Sequence, residues 1–248
     1  MKILLPPSET KRPGGSGTPF DAESLALPSL SAERDAVVTA LVTLAADPAA
    51  ARRVLKLSER QLGDIDHNAS LRSAPTMAAA DRYTGVLYDA LDAASLDAAS
   101  RRWLNRHVWI HSAPFGPLAA LDAIPMYRLA AGASLPGIAP LRRHWAKATS
   151  EAIAQAAPSF VLDLRSEAYV ALGPVPASVT SAYVRVVTDE GRALNHFNKK
   201  AKGELVRALA LERASVRSLS TLRDWASARS ITMRRGEQAG VLELVTGA

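Results

Sequence analysis

The sequence predicts one α+β domain over residues 1–248, with a central mixed sheet surrounded by helices. Three observations predict it. Short apolar or β-branched runs at 2–5, 108–110, 160–164 and 183–187 read as buried strands. Longer stretches between them carry apolar residues at helical spacing. The two kinds of element are interspersed without a regular βαβ rhythm, and no repeat or low-complexity linker divides the 248 residues.

The elements follow in order. Lys2-Ile3-Leu4-Leu5 is a buried strand stopped by Pro6-Pro7. Residues 12–19 hold three Gly and two Pro and predict a flexible loop. Helices are predicted over Glu33–Ala46, ended by Asp47-Pro48, and over Ala49–Leu57. Ser58 caps a further short helix that Gly63 ends. A single long helix is predicted over Thr76–Ala94, and another over Leu96–Arg106 before the strand at 108–110. Residues 113–140, with five Pro and three Gly, predict loops and short turns. Leu141–Ala157 is a helix, Phe160–Leu164 a strand, and Ser166 opens a short helix. Tyr183–Val187 is a strand, Asn195–Arg213 a helix with Phe197, Ala201, Leu205 and Leu209 at i, i+4 steps, and Thr221–Arg229 a helix. Ser230–Met233 and Val241–Val245 form a hairpin around Gly236 and Gly240.

The net charge of +6 is unevenly placed. Residues 185–235 carry 12 Lys and Arg against 5 Asp and Glu, a local net of +7, so the whole excess lies there. Such a surface attracts phosphates, nucleic acid or acidic small molecules. The chain has no cysteine, which excludes disulfides, Cys-ligated zinc, iron–sulfur clusters and thiol peroxidase chemistry. No apolar stretch reaches the roughly 20 residues of a membrane span, and the N-terminal apolar run is too short for a signal peptide. A cytoplasmic protein without a membrane association is expected.

Several constellations carry polar chemistry. Asn195–Gly203 sets Lys199, Lys200 and Lys202 in the first turns of a helix, where the dipole repels cations unless an anion binds. Gly203 inside that helix suggests a close backbone approach, or is incidental. Ser8, Thr10 and Lys11 follow the first strand, a favoured ligand position, though local sequence slightly favours a plain surface turn. Asp163, Arg165, Ser166, Glu167 and Tyr169 follow the 160–164 strand and form either a ligand-binding or a structural network. Tyr127 and Arg128 sit as polar anchors in the Pro- and Gly-rich loop. Gln61-Leu62-Gly63-Asp64-Ile65 and Leu135-Pro136-Gly137-Ile138 are weak candidates for DNA-contacting hairpins. GxGxxG, P-loop, GxSxG and HExxH motifs are absent. His107 and His111 stand four apart across a strand and read as structural, so no metal site and no cofactor is expected.

Taken together, Ile3–Lys11, Tyr83-Thr84-Gly85, Phe115-Gly116 with Leu121-Asp122 and Tyr127-Arg128-Leu129, Leu164–Tyr169, and Phe197–Gly203 resemble the YaaA family of bacterial peroxide-stress proteins. The resemblance runs in order along most of the chain. It implies a mixed α/β fold, a role in hydrogen peroxide tolerance through limiting unincorporated iron, and binding of double-stranded DNA in a positive cleft. It also implies a helix-hairpin-helix-like element near 61–65.

Two functions follow as expectations. In the first, the protein binds double-stranded DNA or another polyanion, with Lys11, Arg165, Ser166, Lys199, Lys200, Lys202 and Arg207 as the anion contacts. In the second, it is an enzyme acting on a small anionic substrate in a cleft lined by Lys11, Ser166, Glu167 and Lys199, with Ser8, Thr10, Asp163, Tyr169, Tyr127 and Arg128 as further polar groups. Direct iron sequestration is disfavoured by the ligand spacings. The sequence assigns no oligomeric state.

Overall fold

The computed structural model describes residues 1–192 and 197–246. The chain opens with β1 (Lys2–Leu5) and then a helical excursion of α1 (Ser31–Ala45), α2 (Pro48–Leu55) and α3 (Asp64–Ala69). It continues through β2 (Met77–Ala78), α4 (Ala79–Arg82), α5 (Val86–Leu91) and α6 (Ala98–His107) to β3 (Val108–Ser112). β4 (Gly116–Ala119), β5 (Ala123–Ile124), α7 (Leu141–Ala156), β6 (Val161–Asp163), α8 (Glu167–Leu172) and β7 (Ser181–Val187) follow. The last described elements are α9 (Phe197–Leu211), α10 (Leu219–Ser227), β8 (Met233–Arg235) and β9 (Val241–Val245).

Among the described residues seven strands form one mixed sheet in the order β4-β3-β1-β6-β7-β9-β8. The five central strands are parallel, and the two edge strands pair antiparallel. β2 and β5 form a small separate antiparallel pair. The expected α+β class with a mixed central sheet is thus present. β1 sits in the interior, so its two faces are both dry: Ile3 and Leu5 join the main core, while Leu4 joins a second cluster with Trp109, Ile153 and Val161.

The strand order places a topological switch at the middle of the sheet. From β1 the chain leaves toward β3, and from the adjacent parallel β6 it leaves toward β7. Two neighbouring strands whose connections depart in opposite directions open a crevice at their carboxyl ends. The chain segments entering it are 6–11 and 164–169.

Three expectations need correction. The single helix over Thr76–Ala94 is instead β2, α4 and α5, broken at Tyr83-Thr84-Gly85. Tyr83 is extended and bridges to Lys11, Thr84 N donates to Thr10 O, and Gly85 has φ +93, a conformation that side chains resist. Docking of the loop after β1 therefore overrides helix periodicity there. Second, the stretch 113–140 contributes β4 to the sheet edge, where Pro117 is tolerated. Third, the loop 12–19 has no regular element but is held: Arg82 donates to Arg12 O and Gly14 O at 2.7 Å, and Thr76 Oγ1 to Thr18 O.

Gly203 is explained by packing and not by an anion. A Cβ there would lie 2.2 Å from Leu87 O and 2.8 Å from the Ala90 Cβ, so α9 and α5 touch backbone to backbone. Gly203→Ala is expected to destabilise the fold by about 1–3 kcal/mol, the cost of overpacking a close contact, despite its better helix propensity. Equilibrium urea unfolding checks this, and an unchanged midpoint would contradict the contact.

Candidate functional site

Two cavities meet in the crevice outside β1 and β6. One, of 440 Å³, is walled by Pro6, Pro7, Ser8, Glu9 and Thr10 on one side, by Thr84–Tyr88 on another, and by Ser166, Tyr169 and Lys199. The second, of 420 Å³, lies between Leu164–Ala168, Tyr183 and the start of α9, with Lys199 and Lys202. They share Pro6, Leu87, Ser166 and Lys199, so they form one cleft with a more apolar and a more cationic half. The scale suits a small molecule.

Local sequence builds each wall. Pro6-Pro7 stops β1, and Tyr88 donates its hydroxyl proton to Pro6 O at 2.7 Å, fixing the turn. Ser8 Oγ and Thr10 Oγ1 lie 3.2 Å apart, and Thr10 Oγ1 donates to Thr84 O. On the opposite wall Ser166 occupies the cap position of α8, and its carbonyl accepts from Tyr169 N and Val170 N. Its hydroxyl makes no cap bond and lies in the cleft.

Beneath this wall is a buried ionic knot. Arg165 is fully buried and grips Asp163 through Nε and Nη2 at 2.9 and 2.6 Å. Its Nη1 donates to His111 Nδ1 at 2.7 Å and to the carbonyls of Tyr169 and Gly173. Burial and the adjacent guanidinium hold the His111 pKa well below its ordinary value, so the ring is neutral. With Nδ1 accepting, its proton sits on Nε2, which has no partner among the described residues.

Two lysines differ although burial lowers both to a pKa of about 8. Lys11 donates to Ser8 O at 3.1 Å and Glu9 O at 3.4 Å, and its ammonium lies 4.0 Å from the Tyr127 ring centre. It is a staple inside the loop after β1. Lys202 is 5% exposed, lines the cleft, and lies 5.8 Å from the Tyr183 ring centre. Asp163 pulls its pKa back up in part.

The structure therefore gathers Ser8, Thr10, Ser166, Glu167, Tyr169, Lys199 and Lys202 around one cleft. Others do not fit the roles expected of them. Arg165 and Asp163 neutralise each other below the floor, so Arg165 offers nothing to an outside phosphate. Lys11 faces inward. Tyr127 is buried behind it, its hydroxyl bonded to Tyr83 at 2.8 Å and Ser112 at 3.1 Å. Arg128 pairs with Glu9 at 2.8 Å. Arg207 ties α9 to the end of α5 through Leu91 O, Asp92 O and Ser95 Oγ. Lys200 is exposed beside Glu204, outside the cleft. Asn195 and His196 lie outside the described residues.

The structure adds Leu87, Tyr88 and Tyr183, which sequence reading missed. Tyr183 pairs in register with Asp163 across β6 and β7, a proximity of residues 20 apart that no local pattern signals. Tyr88 donates its hydroxyl proton to Pro6 O, 82 residues earlier, a contact that no local pattern signals. At the two hairpin candidates, Gly63 is ringed in sequence by Glu59, Asp64 and Asp66, and Gly137 forms a φ +80 turn after a non-helical stretch.

A second concavity lies at the opposite end of the sheet. It measures 650 Å³ and is lined by Arg102, Arg106, Arg213 and Arg217, with Trp103 and His107. No carboxylate lines it, and among the described residues none of the four guanidiniums has an ion-pair partner.

Fold and cleft together define an α+β protein with a ligand-sized crevice at a sheet switch point. The family described as peroxide stress protein YaaA matches residues 1–229, and the chain belongs to it. Similar proteins include a UPF0246 protein of Streptomyces coelicolor, 45% identical over 214 residues, covering 84% of this chain and 82% of that one. A UPF0246 protein of Corynebacterium efficiens is 42% identical over 242 residues, covering 96% of each chain. An uncharacterised protein of Campylobacter jejuni is 28% identical over 214 residues, covering 83% of each.

Removing Arg165 tests the knot. Arg165→Leu leaves Asp163 charged and uncompensated in the interior, and is expected to cost about 3–5 kcal/mol. Urea unfolding measures it; a loss below about 1 kcal/mol would show that the pair is not a buried support.

Proposed function

We propose that this peroxide stress protein acts on a small anionic molecule held in the cleft outside β1 and β6. The observation that carries the reading is the convergence of Ser166, Lys199 and Lys202 on joined cavities of 440 and 420 Å³ at the switch point. Lys199 and Lys202 supply charge, and Ser8, Thr10 and Ser166 supply hydroxyl donors. Pro6, Leu87 and Tyr88 offer an apolar wall for the rest of the molecule. Glu9 and Glu167 lie in the same lining, which makes the cleft mixed in sign. That composition suits a compact ligand better than a phosphate polymer, which needs an unbroken basic track.

Thermal unfolding with inorganic phosphate, citrate, glyoxylate and nucleoside monophosphates tests the reading. At least one anion is expected to raise Tm by mass action. Lys199→Ala is expected to weaken that anion by about tenfold or more, the loss of one charged hydrogen bond. No shift with any of these anions, or the same shift in the variant, would sink it.

Binding of double-stranded DNA is the second reading, and one observation favours it: the groove of Arg102, Arg106, Arg213 and Arg217. Guanidiniums without partners suit phosphate oxygens. Duplex binding is then expected to weaken with salt and to show little sequence preference. Arg102→Ala/Arg106→Ala/Arg217→Ala should lower affinity and flatten the salt slope by about three, while Lys199→Ala/Lys200→Ala should change it less. Anisotropy at two salt concentrations decides it, and equal binding by wild type and the arginine variant would exclude the groove. An influence on unincorporated iron would in either case be indirect, through the ligand or the nucleic acid.

A further inference from the structure

We propose that Lys202 is a nucleophile that forms an imine with a small aldehyde or keto acid bound in the cleft. The proposal rests on the small-anion reading and adds a covalent step to it.

The placement of this amine is unusual. Lys202 is 5% exposed, yet its ammonium has no hydrogen bond or ion pair among the described residues. Burial strips part of the ammonium's hydration, and the charge of nearby Asp163 offsets that loss only in part. The Gly203 contact with Leu87 O fixes the height of α9, and with it the point from which the Lys202 side chain enters the cleft. Lys11 is the internal contrast: half-buried, it is satisfied by two carbonyls and two aromatic rings.

The groups facing Lys202 keep it reactive. Asp163, at the end of β6, offsets the lowered pKa of the amine only in part, and its carboxylate is bonded to Arg165 through both oxygens. From β7 comes the neutral phenol of Tyr183, whose pKa burial raises. Glu167 lines the cavity from α8, and Lys199 adds a second cation from the same helix. A lysine desolvated in a cleft is a setting that activates amine nucleophiles. Burial brings the Lys202 pKa to about 8, against an ordinary 10.5. At pH 7.5 the neutral fraction then exceeds that of an ordinary lysine on the order of a hundredfold.

The chemistry balances without a further reactant. The neutral amine adds to the carbonyl carbon, forming the C–N bond as the C=O π pair moves to oxygen. The nitrogen proton passes to that oxygen. Glu167 and the Ser166 hydroxyl are the cavity groups placed to relay protons. A second proton transfer lets the carbinolamine oxygen leave as water, and the imine remains. Lys199 holds the substrate's carboxylate. Water reverses the sequence.

Glyoxylate with cyanoborohydride is the test on the full chain. Hydride reduces the imine to a stable secondary amine, and peptide mass mapping locates it among the seven lysines. Lys202 is expected to be modified at least about tenfold faster than exposed Lys147 and Lys200, with the rate rising through pH 8. Lys202→Arg keeps the cation and should abolish the fast adduct. Labelling spread over the exposed lysines, or a fast adduct unchanged in Lys202→Arg, overturns the proposal. Glyoxylate or phosphate protection against unfolding without a Lys202 adduct overturns the imine and leaves the small-anion cleft standing. Neither protection nor adduct overturns both.

Discussion

The Arg165–Asp163 pair is the interaction on which the site depends. A guanidinium with no exposure needs every donor satisfied, because desolvation of an ion outweighs its attraction to one partner. Arg165 meets that demand by drawing together the end of β6, His111 of β3 and the carbonyls of Tyr169 within α8 and Gly173 just past its end. The price is geometric: α8 has one place to sit. Ser166 and Glu167 thereby line the cleft, and Arg165, not Lys202, is the bonded partner of Asp163. The pair therefore shapes the electrostatic surroundings of Lys202 as well as the position of α8.

Other cations serve the same internal purpose. Arg34 is buried and donates to Phe115 O and Pro117 O, joining α1 to the β3–β4 turn. Arg82 holds the loop at 12–14 and the carbonyl of Ile124. Arg207 and Lys11 close two further turns. In this chain a guanidinium often replaces a backbone partner for carbonyls that irregular loops leave unpaired. Of these cations only Arg207 belongs to the basic segment 185–235. Arg213 and Arg217, from the same segment, instead meet α6 arginines at the far end of the sheet. The cleft at the switch point and the arginine groove are consequently separate surfaces.

Much of the fold was legible. Strands at 2–5, 108–110, 160–164 and 183–187, the long helices, the terminal hairpin and the mixed sheet class all have local causes. Apolar runs bounded by Pro and Gly, and helical periodicity over many residues, survive in almost any context. The helix predicted over Thr76–Ala94 failed because a loop 70 residues earlier docks onto Tyr83–Gly85, and nothing within the segment records that contact. The site was legible as places more than as roles. The junctions after β1 and β6 were marked by polar residues following apolar strands. Arg165, Lys11 and Arg207 looked like anion contacts because type and position in sequence do not distinguish a solvated cation from one whose partners are distant carbonyls.

Residue type and order alone determined the family, the class of fold, the two strand-end loops and the absence of thiol chemistry. Each of these follows from short-range pattern or from composition. Only the tertiary structure decided which lysine is satisfied and which is left bare, and that Tyr183 and Asp163 lie side by side. It also decided that four arginines from two segments share one groove. Those facts depend on desolvation and on pairings between residues 20 to more than 100 positions apart, and an amine's protonation follows its surroundings and not its neighbours in sequence.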